Sequence, residues 1–102
     1  MTTYVFINRP FFVYTKSVRR VLMLDSVLVG RVIQKFREDK GLSQEVVSGF
    51  ADIGRTHLSA IERGARKPTL ETFYRIAEAM NIKPSVLLKA IEEEIGKASD
   101  FL

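Results

Sequence analysis

The sequence of 102 residues contains no cysteine and only one histidine, His57. The lack of cysteine excludes a disulfide, a thiolate zinc site and a cysteine nucleophile, and it fits the reducing cytoplasm in which we expect the protein to act. One histidine leaves no imidazole pair for a metal. No nucleophile motif accompanies His57, and no glycine-rich phosphate loop is present, so the sequence predicts neither a cofactor nor an enzyme.

Long apolar runs are also absent. Basic residues and a proline interrupt the apolar N-terminal stretch at Arg9, Pro10, Lys16, Arg19 and Arg20. The stretch is therefore neither a secretory signal nor a membrane span, and no membrane partner is predicted. The 46% hydrophobic content suits one small domain. Because such a domain buries a limited fraction of its surface, a second subunit can contribute to its stability.

The net charge of +4 is unevenly distributed along the chain. Residues 1–28 hold four basic residues and one acidic residue, whereas residues 29–95 hold eleven basic and ten acidic residues. The net charge of the whole chain therefore does not indicate which kind of molecule the protein binds. Within residues 53–67, however, four basic residues accompany one acidic residue, while residues 68–95 hold three basic and five acidic residues. This polarity predicts one positive face for phosphates.

Residues 1–24 are interpreted as an N-terminal arm. Two aromatic and β-branched runs, residues 4–7 and 11–14, flank Asn8-Arg9-Pro10 and predict a short β-hairpin. A lone hairpin is marginally stable in water, so it would pack on the helical domain or pair with a second chain. Two alternatives remain open: the segment is a poorly ordered tail, or translation begins at Met23.

Helical periodicity dominates residues 25–95, which we assign to one domain. Apolar residues spaced three and four apart predict helices over residues 26–40, 44–50, 55–63 and 70–80, and a last helix that has Pro84 in its first turn. Gly41, Gly64 and Asn81 end three of these helices, and Ser43 caps the second. Residues 96–102 are expected to be a frayed tail.

The last predicted helix has more apolar residues than one small core obviously needs. Two interpretations remain open for this excess. The residues form a dimer interface, or they cover the core of their own domain. They are Leu87, Leu88, Ile91 and Ile95.

GLSQE at residues 41–45 and RTHLSAIERGARKPTLETFYRIAEAM at residues 55–80 resemble the helix-turn-helix domain of the Cro and lambda-repressor-like transcription regulators, the XRE family. The resemblance extends over residues 29–94. It implies an all-α, five-helix lambda-repressor-like DNA-binding domain, whose third helix enters the major groove of double-stranded DNA. The turn departs from the family pattern, because Asp52 stands at a usual glycine and Gly54 at a usual serine or threonine cap.

Base contacts require side chains near the start of the third helix. Position predicts Arg55, Thr56 and Ser59 for this role, and the resemblance implies Arg55, Thr56 and Ala60. Arg55 is the strongest candidate, because its guanidinium can bond bidentately to guanine; a solvated side chain or a phosphate contact is the alternative. The candidate phosphate contacts are Ser43, Gln44, His57, Arg66 and Lys67.

The resemblance also implies that an arginine on the first helix pairs with a glutamate on the recognition helix. Arg37 and Glu62, which are 25 residues apart, match these positions. We expect this ion pair to hold two helices in register rather than to contact DNA.

The sequence therefore predicts a homodimeric transcriptional regulator, most simply a repressor, that binds a palindromic operator. One alternative is an antitoxin or controller protein that binds a protein partner through the N-terminal arm. Another is a helix-turn-helix scaffold that serves as a protein-interaction module. A toxin gene beside this one would favour the first alternative.

Overall fold

The computed structural model describes residues 24–99, which form five α-helices and no strand. The predicted all-α class and the five predicted helices are confirmed, whereas the predicted N-terminal hairpin lies outside the described residues. The helices are α1 (Ser26–Asp39), α2 (Gln44–Ala51), α3 (Arg55–Glu62), α4 (Leu70–Ala79) and α5 (Pro84–Ser99). Within residues 24–99, no helix has the length and apolarity that crossing a membrane requires.

Side chains at the helix starts and left-handed residues at the helix ends explain these bounds. The predicted cap Ser43 accepts a hydrogen bond from the backbone N–H of Val46 at 3.1 Å, and Thr69 does the same for Thr72 at the start of α4. Gly41 and Asn81 follow α1 and α4 with φ of 69° and 59°. Left-handed residues of this kind terminate helices, as the sequence predicted.

The core lies where one face of each helix meets the others. α2 packs on α4, and α1 packs on both α3 and α5. Fully buried aliphatic side chains come from all five helices, among them Ile33, Val47, Leu58, Ile76 and Leu87. Because Leu58 and Ile61 are held in this core, the opposite face of α3 is turned outward.

The prediction of a frayed C-terminal tail over residues 96–102 is wrong for residues 96–99, because α5 continues to Ser99. A glycine inside an exposed helix costs only about 1 kcal/mol relative to alanine, so Gly96 does not end the helix. Lys97 also pairs with Glu94 one turn earlier, at 3.0 Å.

α5 separates its apolar residues into two sets. Leu87 and Ile91 are buried in the core of their own protomer, at 0% and 1% exposure. For these two residues the dimer-interface prediction is wrong and the core alternative is correct, because their face packs against α1 and α4. Leu88 is 46% exposed and Ile95 is half-buried. Of the four residues predicted for the dimer interface, these two therefore remain candidates for pairing with a second subunit.

Candidate nucleic-acid interface

The turn between α2 and α3 depends on one left-handed residue. Asp52 has φ 58° and ψ 46°, and the N–H of Ile53 bonds back to the carbonyl of Ser48 at 3.0 Å. Aspartate tolerates this conformation better than most residues, which explains how the turn forms without the usual glycine. Gly54 occupies the N-cap of α3 in extended conformation and supplies no side-chain acceptor. α3 therefore begins at Arg55 despite both departures from the family pattern.

The first turn of α3 presents polar side chains to solvent. Arg55 and Thr56 are both exposed, whereas Leu58 is fully buried. A helix that exposes its N-terminal polar residues in this way can approach base edges in a major groove. Arg55 and Thr56 thus occupy the positions that the base-contact prediction requires.

The other two predicted base contacts are less accessible. Ala60 is 9% exposed, so little of its methyl group could contact a thymine. Its carbonyl instead accepts hydrogen bonds from the N–H groups of Ala65 and Arg66, at 2.8 and 3.3 Å. Ser59 is half-buried, and its hydroxyl accepts a hydrogen bond from Arg63 at 2.6 Å.

The N-terminus of α2 is tied to the end of α3. The side-chain amide of Gln44 donates to the Glu62 carboxylate at 2.9 Å, a contact that no sequence pattern indicates. The side-chain amide of Gln44 is therefore already hydrogen-bonded within the protein. A phosphate contact by Gln44 would come mainly from its backbone N–H, because the first N–H groups of a helix favour anions. Ser43, beside it, is exposed.

The loop after α3 carries two further cations. Arg66 and Lys67 are exposed, and the hydrogen bonds to the Ala60 carbonyl fold this loop against α3. Gly64, at φ 81°, permits the reversal, and a Cβ there would lie 2.6 Å from the Val27 Cα. His57 is half-buried. The structure therefore keeps Arg66 and Lys67 on the segment that directly follows α3.

Arg37 and Glu62 form the predicted ion pair, and both side chains are almost fully shielded from solvent. The Glu62 carboxylate accepts from Arg37 Nε at 2.7 Å and from Arg37 Nη2 at 3.0 Å, with side-chain exposures of 2% and 10% for Glu62 and Arg37. Arg37 Nη1 also donates to the carbonyl of Leu42 at 2.8 Å. The hydrogen bond to Glu62 raises the pKa of Arg37 above its ordinary value, although burial opposes the rise. The network thereby joins α1, the start of α2 and the end of α3.

This pair has an electrostatic consequence for the surface of α3. Residues 53–67 contain one acidic residue, Glu62, and it is buried and neutralised by Arg37. The exposed charges of that segment are consequently all positive. They belong to Arg55, Arg63, Arg66 and Lys67. Such a surface attracts phosphates. In the part of the chain that the structure describes, no group of three or more His, Cys, Asp or Glu residues is placed to hold a metal ion.

Comparison with known proteins places this geometry in a family. A family model described as helix-turn-helix matches residues 33–87, which is more than half of the chain. An uncharacterised HTH-type transcriptional regulator of Sinorhizobium fredii is 36% identical over 66 residues, covering 65% of this chain and 86% of the relative. The control protein C.BamHI of Bacillus amyloliquefaciens is 35% identical over 63 residues, covering 61% and 78%.

Comparison with solved structures finds the same kind of protein. The restriction-modification controller protein C.AhdI of Aeromonas hydrophila has 32% identity and a TM-score of 0.60, covering 64% of this chain and 98% of that one. The controller C.Esp1396I, as a tetramer in complex with its natural 35 base-pair operator, has 29% identity and a TM-score of 0.66, covering 72% and 96%. The chain belongs to the helix-turn-helix family of the Cro/C1 (XRE) type, and it is a sequence-specific DNA-binding transcriptional regulator, not an enzyme.

Proposed function

We propose that this regulator represses transcription as a homodimer, with the α3 of each protomer in the major groove of one half of a palindromic operator. The observation that carries the proposal is the exposed surface of residues 53–67, where every charge is positive because Glu62 is buried against Arg37. A short helix with such a surface suits a groove flanked by phosphates.

Within this arrangement the residues have distinct tasks. Arg55 reads a guanine through two hydrogen bonds, and Thr56 contacts a neighbouring base edge. The N-terminus of α2 at Ser43 and Gln44 binds one phosphate, and Arg66 and Lys67 bind others. His57, which is half-buried in the first turn of α3, contacts a further phosphate. Phosphate contacts supply affinity, whereas Arg55 and Thr56 supply most of the sequence preference.

Dimerisation follows from the outer face of α5. Leu88 and Ile95 lie two turns apart on the same side of the helix, and both retain exposed apolar surface. A second copy paired about a two-fold axis would cover both. Half-sites one turn of DNA apart require the two recognition helices of such a dimer to lie about 34 Å apart. Binding of the C.Esp1396I tetramer to its operator supports an oligomeric DNA complex of this kind.

A controller role in a restriction-modification system is the second candidate. It is favoured by the named relatives, since C.BamHI is a control protein and C.AhdI and C.Esp1396I are restriction-modification controllers. The DNA-binding surface would be the same in either role. Genes for a restriction enzyme and a methyltransferase beside this one would favour the controller role over that of a general repressor.

Replacing Arg66 and Lys67 together by glutamine tests the phosphate contacts. We expect weaker binding to every duplex, because these side chains contact the DNA backbone and not the bases. The slope of log Kobs against log salt concentration should become less steep by about 3.6 for the bound dimer, since its two protomers lose four phosphate contacts and each contact removes about 0.9. The measurement is a titration of an operator duplex at several salt concentrations.

The matched control replaces Arg31 on α1 and Lys89 on α5 by glutamine. Both are exposed and belong to helices other than α3, so this variant loses the same charge and should keep a steeper slope than the Arg66 and Lys67 variant. Equal slopes for the two double variants would show that net charge alone governs binding and would contradict the proposed interface.

A further inference from the structure

An apolar groove of about 300 Å³ lies on the side of the domain where α1, α4 and α5 meet. Most of its lining is apolar and comes from all three helices and from the segments that precede α1 and α4. The apolar lining residues are Leu24, Val29, Pro68, Leu70, Phe73, Leu88 and Ile91. Leu70 is 80% exposed and Leu88 46% exposed, so the groove opens to solvent along its rim. An open apolar surface of this kind favours binding of another apolar segment.

The described part of the chain begins at this groove. Leu24, the first described residue, is part of the lining, and residues 1–23 precede it. Five of the ten aromatic residues of the protein fall in the first fourteen positions: Tyr4, Phe6, Phe11, Phe12 and Tyr14. Aromatic side chains bury large areas on binding, so this segment matches the groove in chemistry. The ten residue-to-residue steps from Tyr14 to Leu24 could span about 33 Å when extended, so the tether is long enough for the aromatic residues to reach the groove.

We propose that the aromatic segment of residues 4–14 binds in this groove on its own protomer. Tethering favours the segment over a separate partner, because a short connection to Leu24 gives it a high effective concentration at the groove. The bound segment would cover Leu70 and Leu88 and would lie beside Lys67, which lines the same groove. It would therefore pack against the base of the loop that carries the phosphate-binding cations.

Leu88 also belongs to the α5 face proposed for the dimer. At this residue the aromatic segment and a second subunit would exclude each other, so release of the segment would favour dimerisation. This consequence rests on the proposed function, whereas binding of the segment to the groove does not.

The experiment uses the natural lack of cysteine. The full chain carrying Thr3→Cys is modified with a nitroxide, and methyl NMR intensities are compared with the label oxidised and reduced. We expect the methyl groups of Leu70 and Leu88 to lose most of their intensity when the label is oxidised. Those of Ile53, at the turn before α3, should keep theirs. Unchanged intensities at Leu70 and Leu88 would overturn the proposal.

Two variants and one mixture sharpen the test. Phe11→Ser with Phe12→Ser should restore the intensity at Leu88, whereas Val86→Ser, an exposed residue of α5 that does not line the groove, should leave the loss unchanged. Loss in a mixture of isotope-labelled untagged chains and unlabelled tagged chains would place the segment on a second copy and overturn the intramolecular proposal. Sedimentation of the same samples reports dimerisation separately, so a monomer would contradict the proposed dimer without affecting the result at the groove.

Discussion

Replacing Glu62 by glutamine should lower the free energy of unfolding by about 3–5 kcal/mol, because it leaves the Arg37 guanidinium buried without its counter-charge. The carboxylate accepts three hydrogen bonds, two from Arg37 and one from Gln44. Glutamine keeps the shape of the side chain but removes the negative charge and one acceptor. The loss is a large part of the 5–15 kcal/mol that holds a typical domain together, and urea unfolding would measure it.

Glu71→Gln is the matched control, since it breaks the Arg75–Glu71 pair on the exposed face of α4. Exposed pairs of this kind contribute only about 0–1 kcal/mol. The double variant Arg37→Met with Glu62→Leu should be more stable than Glu62→Gln alone, because it leaves no unpaired charge in the interior. Equal costs for Glu62→Gln and Glu71→Gln would contradict the role assigned to the buried pair.

Replacing Gly30 by alanine should also be strongly destabilising. Gly30 lies inside α1 where that helix touches the C-terminal end of α3, and a Cβ there would collide with the backbone carbonyls of Ile61 and Glu62. Backbone atoms cannot move aside as a flexible side chain can, so α1 and α3 would have to separate. Overpacking of this kind costs about 1–3 kcal/mol and sometimes more, and we expect the upper end of that range.

Gly49→Ala provides the contrast within the same protein. Gly49 is in the exposed part of α2, and an added Cβ would meet no atom within 4 Å. This change should stabilise the protein by about 0.5–1 kcal/mol, because alanine is the better helix former. Thermal unfolding of the two variants should therefore shift in opposite directions. A lower melting temperature for Gly49→Ala than for Gly30→Ala would contradict the close α1–α3 contact.

Both predictions concern residues that hold the recognition helix without touching DNA. Gly30 sets how closely α1 approaches α3, and the Arg37–Glu62 pair fixes the C-terminal end of α3 against α1 and α2. A substitution that disturbs either contact would displace Arg55. The Gly30→Ala and Glu62→Gln variants should therefore lose DNA binding together with stability. Arg55→Ala should differ by reducing binding without reducing stability.

Much of the fold could be predicted from local sequence signals. Apolar residues marked four of the five helices, and the cap Ser43 marked the start of the short second one. Gly41, Gly64 and Asn81 marked helix ends, because caps and left-handed residues act within a few positions of themselves. The Arg37–Glu62 pair came from the family resemblance, since residues 25 apart share no local pattern.

The remaining details depend on tertiary packing. In α5, Leu87 and Ile91 are four apart and Leu88 and Ile95 are seven apart, so both sets fit a helical face and only the packing shows which set is buried. The burial of Ala60 depends on how α3 packs in the folded domain, and the hydrogen bond of Gln44 to Glu62 depends on how α2 meets α3. α5 extends past Gly96 because one glycine is too weak a signal to end a helix.

The central claim is that α3 reads base pairs through Arg55. It is tested most directly by selecting bound duplexes from a randomised DNA pool with the natural protein and with Arg55→Ala, at one fixed salt concentration. We predict a palindromic consensus for the natural protein, with preference for guanine lost at one position of each half-site in the variant, at a cost of about 1–3 kcal/mol for binding to the original consensus. The same consensus with undiminished preference at every position in Arg55→Ala would contradict base reading by this residue, and enrichment of no sequence by either protein would contradict the assignment of α3 as a recognition helix.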